Sequence, residues 1–256
     1  MKIKLNNKLL FYLIPFFLGI ITSFSLPPYN LFLLNFLTFP FFFIFFISNF
    51  KKNKKTSFII GWLFGFSYFI SNIYWITNSL TFEDIFKPLI PIALLLIPLF
   101  LGLFYGLATY TCSFFNLDRN YSSIIIFALM LSIVEFMRGT ILGGFPWNLI
   151  AYTWTKYTDF LQILTFIGTY SFNLLSITLF LAPVGIFFHK SLRSKIILII
   201  FLIFLMGINF YYGKNVKNNY NKAQNIDLDT TIKIVSPKIK IDRFFQNEDP
   251  SIIINE

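Results

Sequence analysis

The sequence predicts an all-α polytopic membrane protein of about seven transmembrane helices, on three observations. Hydrophobic residues make up 56% of the 256 positions and aromatic residues 21%, with a mean hydropathy of +0.70, which excludes an ordinary soluble domain of this length. Seven apolar segments can be drawn, at 9–26, 31–49, 57–79, 88–115, 121–139, 160–188 and 196–212. The Lys and Arg residues lie mainly in alternate connections between them. A helical domain over 1–212 follows, then a linker over 213–230 and the start of a second unit over 231–256.

The first segment is preceded by Lys2, Lys4 and Lys8, and Ser23-Phe24-Ser25 imitates a signal-peptide cleavage site. A second apolar segment follows almost at once, so the first is read as a retained span. The third opens on Gly61-Trp62-Leu63-Phe64-Gly65, whose glycines at i and i+4 let two helices approach closely; Gly61 and Gly65 are therefore read as packing positions. It ends in the polar and aromatic run 71–78, which contains Tyr74 and Trp75. The fourth carries Cys112 near its end, and a single cysteine excludes an internal disulfide and a Cys-based metal cluster. Buried packing is the expected role of Cys112.

The fifth segment is nearly unbroken in its hydrophobicity from Tyr121 to Met137 apart from Glu135, and Arg138 follows on the same helix face. Charge in that setting points to one of three roles: a structural clamp, a site for lipid headgroups or acyl carbonyls, or part of an ion pathway. Near the end of its helix, Arg138 could reach the headgroup level with its stem in apolar surroundings, which suits lipid contact better than a midplane relay. Next, Gly143-Gly144-Phe145-Pro146-Trp147 cannot continue a helix, because glycine loosens the backbone and proline removes a donor. The chain must turn or re-enter here. Trp147, Tyr152, Trp154 and Tyr157 read as an aromatic belt at the interface, and Trp147 with Tyr74 and Trp75 could line one outward cavity.

In the sixth segment, Gly168 and Tyr170 mark a small-residue helix contact. His189, the only histidine, is read as an interfacial anchor, since no partner ligands for a metal accompany it. After the seventh, residues 213–229 are polar and Asn-rich, and Thr231-Ile232-Lys233-Ile234-Val235 alternates like a strand. An A- and T-rich coding bias would by itself enrich Phe, Ile, Asn and Lys, so phenylalanine content is given no functional weight.

The formal charge of +10 could suggest nucleic acid, but the basic residues lie between apolar runs and no base-stacking motif accompanies them. They read instead as topology. Three precede the first span; Lys51, Lys52, Lys54 and Lys55 follow the second, Arg119 the fourth, and Lys190, Arg193 and Lys195 the sixth. The other short connections hold Lys87, Arg138 and Lys156. The positive-inside rule thus places the N-terminus in the cytoplasm and the C-terminal tail outside, in the periplasm of a bacterium.

Several of these pieces, in order, resemble the membrane half of the bacterial apolipoprotein N-acyltransferases: Leu26-Pro27-Pro28-Tyr29, Gly61 to Gly65 with Tyr74-Trp75-Ile76, Glu135 with Arg138-Gly139, Gly144-Phe145-Pro146-Trp147, and Gly168 with Tyr170. Ile234-Val235-Ser236-Pro237 resembles the opening strand of that family's nitrilase-like domain, so the fold class includes a short C-terminal α/β stub. The resemblance implies a bacterial inner-membrane protein whose family moves a fatty acyl chain from a phospholipid, through a cysteine thioester, to the N-terminal amine of a diacylglyceryl-cysteine lipoprotein. It implies a glutamate base, a lysine that stabilises the tetrahedral intermediate, and no cofactor. Those catalytic residues belong to the nitrilase-like domain, and no position here can be assigned to them. The expectation is a truncated or split product, inactive alone, with the nitrilase-like domain possibly supplied as a separate partner. Tyr74, Trp75, Glu135, Arg138, Gly144, Phe145, Pro146 and Trp147 are the candidate cavity wall. A small transporter or channel subunit and an inactive remnant are the alternatives.

Overall fold

A computed structural model of the chain describes residues 8–50, 53–188, 191–222 and Lys233. Every predicted apolar segment contains helix: α1 (Lys8–Ser23), α2 (Asn35–Asn49), α3 (Lys54–Asn72), α4 (Ile90–Cys112), α5 (Tyr121–Thr140), α8 (Thr169–Leu181) and α10 (Leu192–Lys222), with the short helices α6 (Thr158–Leu161), α7 (Leu164–Ile167) and α9 (Val184–Phe188) between them. No strand occurs among the described residues. Five stretches are long and apolar enough to cross a membrane, and a sixth is α3 with the 3-10 turn Tyr74–Thr81, bent by 49°. The apolar helix at Leu9–Ser23 is shorter. The chain is thus an all-α, multi-pass membrane protein. The expected strand at 231–235, the nitrilase-like stub and His189 lie outside the described residues, Lys233 excepted.

Local chemistry sets the helix starts. Asn53 caps α3 by accepting from Lys55 N–H at 2.9 Å, and Asn120 caps α5 by accepting from Ser123 N–H at 2.8 Å. The sixth span differs from expectation: it begins at Thr169, not 160, because Gly168 adopts φ +75° and ends the preceding turn. The stretch before it forms the separate short helices α6 and α7. The last helix runs past 212 to Lys222, so the polar stretch begins as its final turns. There Gly213 packs against the Asp159 carbonyl, and Lys217 lies 3.6 Å from Asp159 and 3.3 Å from Thr158.

α3 and α4 form the closest pair. A Cβ at Gly61 would strike Thr109 and the Tyr105 carbonyl, and one at Gly65 would lie 2.7 Å from Tyr105 Cβ. Without side chains there, backbones approach and dispersion replaces the missing hydrophobic drive between helices in lipid. Gly19 of α1 sits against Ser67 and Phe64 of α3 in the same way. Phenylalanines of α2 fill the centre: Phe42 stacks on Phe64 at 4.1 Å, and Phe43 and Phe46 pack on Phe127 at 5.2 and 5.5 Å. By contrast α10 keeps most of its apolar surface outward, as a lipid-facing helix does. The basic connections meet at one end, where Lys54 lies over the Phe114 ring and Tyr121 contacts Phe188. Cys112 is buried at this same end.

Candidate functional site

At the opposite end, α5 supplies Glu135 and Arg138, three residues apart and both only 1% exposed. Arg138 Nη2 lies 3.2 Å from Glu135 Oε2, while Tyr105 Oη of α4 donates to Glu135 Oε1 at 2.6 Å. The guanidinium lies 5.0 Å from the Phe69 ring centroid and 6.0 Å from that of Phe145. A charge pair withdrawn from water is tolerable only with such added hydrogen bonds. The expected reach of Arg138 to headgroup level is therefore corrected: the side chain turns inward, because a carboxylate and two carbonyls await it there.

Those carbonyls belong to the loop after α5. Arg138 Nη1 donates to the Trp147 carbonyl at 2.8 Å and also to the Phe145 carbonyl, while Phe145 N–H donates back to the Arg138 carbonyl at 2.8 Å. Leu142, Gly143, Gly144 and Asn148 all have positive φ, and at Gly144 a Cβ would strike the Gly139 carbonyl. Left-handed backbone at Leu142 costs about 1–2 kcal/mol, and the bonds to Arg138 hold it in place. Tyr68 Oη of α3 adds a bond to the Asn148 carbonyl at 2.9 Å. One buried cluster drawn from three helices thus fixes a loop that has little regular structure of its own.

The fixed loop brings aromatic groups together. Trp147, 55% exposed, meets Trp75, 39% exposed, with ring centroids 5.3 Å apart. Tyr74, Pro146 and Leu142 are exposed nearby in sequence, and Phe145 is half-buried. Gly168 has nothing within 4 Å of a would-be Cβ, so its role is the turn before α8, not a helix contact; Tyr170 is the residue that packs, against Gly139 and Phe136. Burial raises the phenol of Tyr152 above its usual value, with neighbouring Tyr170 adding to the effect.

After Asn148 the chain re-enters the bundle. Leu149, Ile150, Ala151 and Trp154 are buried, which corrects the reading of Trp154 as belt: its ring stacks between Phe160 and Phe180 at 5.1 and 5.5 Å, and its N–H donates to Ser176. Asn173 accepts from Ala151 N–H at 2.9 Å, and Thr153 bonds Ser25 and Asn35 at 3.0 Å each. Sequence reasoning missed Tyr68, Tyr105 and Asn35. The available signal was a phenol or amide inside an apolar span, where an unpaired polar group costs several kcal/mol and so implies a partner. Among the described residues, no group of three His, Cys, Asp or Glu could hold a metal ion.

Comparison with known proteins matches residues 18–182 to the family described as apolipoprotein N-acyltransferase N-terminal domain. Among similar proteins, the apolipoprotein N-acyltransferase of Sinorhizobium medicae (strain WSM419) is 31% identical over 189 residues, covering 70% of this chain and 35% of the relative. That of Rickettsia prowazekii (strain Madrid E) is 30% identical over 202 residues, covering 78% and 40%. A third, from Sinorhizobium fredii (strain NBRC 101917 / NGR234), is 26% identical over 250 residues, 94% of this chain and 46% of the relative. The chain thus matches less than half the length of these relatives.

Proposed function

Because this chain belongs to the apolipoprotein N-acyltransferase family through that family's N-terminal domain, we propose that its helical bundle is the membrane half of such an enzyme, presenting a phospholipid acyl donor and a lipoprotein acceptor to the acyl-transfer chemistry. The observation that carries this reading is the Trp75/Trp147 surface, an exposed aromatic pair set on a loop whose backbone is bonded to a buried ion pair. Exposed indoles suit the boundary between acyl chains and headgroups, with an apolar body and one N–H donor. Glu135 and Arg138 act here as positioning residues. A rigid mount for substrate-contacting groups is what acyl transfer needs, since misplacement by about 1 Å can cost a hundredfold in rate.

The thiol step belongs outside the bundle in this reading. Cys112, the only cysteine of the sequence, is buried at the basic end, away from the Trp75/Trp147 surface. A nitrilase-like portion, joined to this bundle or separately encoded, would supply the nucleophile, its base and the oxyanion donor. In the inner membrane the basic end, with Lys54, Arg119, Arg193 and Lys195, would face the cytoplasm, and Trp75 and Trp147 the periplasm. The C-terminal tail is then periplasmic.

The test is lipoprotein N-acylation by the chain together with a nitrilase-like domain, in cells depleted of their own acyltransferase, read as the mass of the lipoprotein N-terminus. Acylation is expected with the native bundle, and a loss of about tenfold or more with Trp75→Ala or Trp147→Ala at equal protein level. Equal acylation by native and variant bundles would remove the indole pair from the site. Solute flux through proteoliposomes of the chain alone would favour the transporter alternative.

A further inference from the structure

A small cavity of about 60 Å³ lies between α8 and α10. Trp154 and Phe160 close one side, Leu179 of α8 and Met206 of α10 supply apolar walls, and two polar side chains, Ser176 and Asn209, share it. Asn209 is the only side chain from Ile196 to Phe210 that carries an amide, hydroxyl or charge, so its place in a membrane helix calls for partners.

Hydrogen bonding fixes what each polar group offers the cavity. The Asn209 amide nitrogen donates to the Phe160 carbonyl at 3.3 Å; a carbonyl only accepts, so the amide cannot be turned round and its oxygen is the atom left over. That oxygen is buried, with no partner among the described residues. Ser176, 1% exposed, accepts from the Trp154 indole N–H at 3.0 Å; an indole only donates, so the hydroxyl proton remains to be given. Stacking of Phe160 on Trp154 at 5.1 Å closes the wall between the two groups. One buried acceptor and one buried donor thus line the same cavity. An acyl chain there would leave both unpaired in hydrocarbon, whereas water satisfies both at once. The volume suffices, since one water needs about 15 Å³ of free space.

We propose that the cavity holds an ordered water that accepts from the Ser176 hydroxyl and donates to the Asn209 amide oxygen, joining α10 to α8. Most of the apolar surface of α10 faces outward, and its other polar holds lead to α6: the Phe160 carbonyl on Asn209, and Asp159 with Thr158 on Lys217. In lipid, apolar contact alone leaves a helix free to slide or turn, because hydrocarbon solvates its side chains as well as a neighbouring helix does. The water fixes the rotation of α10 at Asn209. The site depends on the fold alone and holds whether or not the bundle serves acyl transfer.

The experiment is a structure from crystals of the full chain grown in lipid, at a resolution that shows ordered water, before and after xenon pressurisation. The expected result is a density about 3 Å from both Ser176 Oγ and Asn209 Oδ1, and a cavity that takes up no xenon, since dry apolar cavities are the ones that bind it. Xenon, detergent or an acyl chain in the cavity, a direct bond between Ser176 and Asn209, or no density at these atoms would overturn the proposal. Thermal unfolding in detergent gives a second reading. Ser176→Ala and Asn209→Leu should each lower Tm by about 2–4 °C, the shift expected for one hydrogen bond in a chain of this size, and the double variant by no more than about the larger single shift. Fully additive shifts would also overturn the bridge.

Discussion

Arg138 and Arg119 stand at opposite ends of the bundle and live in opposite ways. The first is 1% exposed and bonded to a carboxylate and two backbone carbonyls; the second is exposed, in the connection before α5. Burial commits the first to the protein itself, because every donor removed from water must find an acceptor. Exposure leaves the second in contact with its surroundings, with no such demand for buried acceptors. Charge within or beside a membrane span therefore has no single meaning, and its burial decides whether it is committed to the scaffold.

The sharpest way to break this contrast is Glu135→Ala, which strands a buried guanidinium. A loss of about 3–5 kcal/mol is expected in thermal or denaturant unfolding in detergent, against about 0.5 kcal/mol or less for Arg119→Gln. Comparable losses for the two would erase the distinction. Next in size is Gly65→Val, which would force α3 from α4 at Tyr105; overpacking of this kind costs about 1–3 kcal/mol. Tyr105→Phe removes one charge-assisted bond and should cost about 1.5–3 kcal/mol in the same assay, while leaving Trp147→Ala, an exposed change, near neutral. A strongly destabilising Trp147→Ala would mean that the indole pair is core and not surface. The smallest effect sharpens the region around Leu142: Leu142→Gly relieves left-handed strain and should stabilise the loop by up to about 1 kcal/mol, seen as a small rise in Tm.

The same contrast explains what was legible in the chain. Long apolar runs mark helices whatever their partners, so each of the seven segments contains helix, and five or six stretches are long enough to span a membrane. Direction was not legible. Whether Arg138 turns inward depends on Glu135, which Tyr105 bonds from thirty residues earlier, and on the loop carbonyls; whether Trp154 lies in a belt or in the core depends on Ser176 and Phe180. Tyr68 reaches Asn148 across eighty residues. Such pairings leave no local period, and hydropathy scores a stacked core indole and an interfacial one alike. The break before Thr169 rests on one glycine in an apolar stretch, too small a mark for a window to register.

Arg138 works by holding the 144–148 loop, and hydrogen exchange on peptides spanning 139–148 reads that hold. In the native chain, Phe145 N–H should be protected by its bond to the Arg138 carbonyl. In Arg138→Gln, exchange across this loop should accelerate by about a hundredfold or more, while peptides of the α3–α4 interface keep their native protection. Loop protection that is unchanged, or lost evenly across the bundle, would mean that Arg138 does not hold the loop.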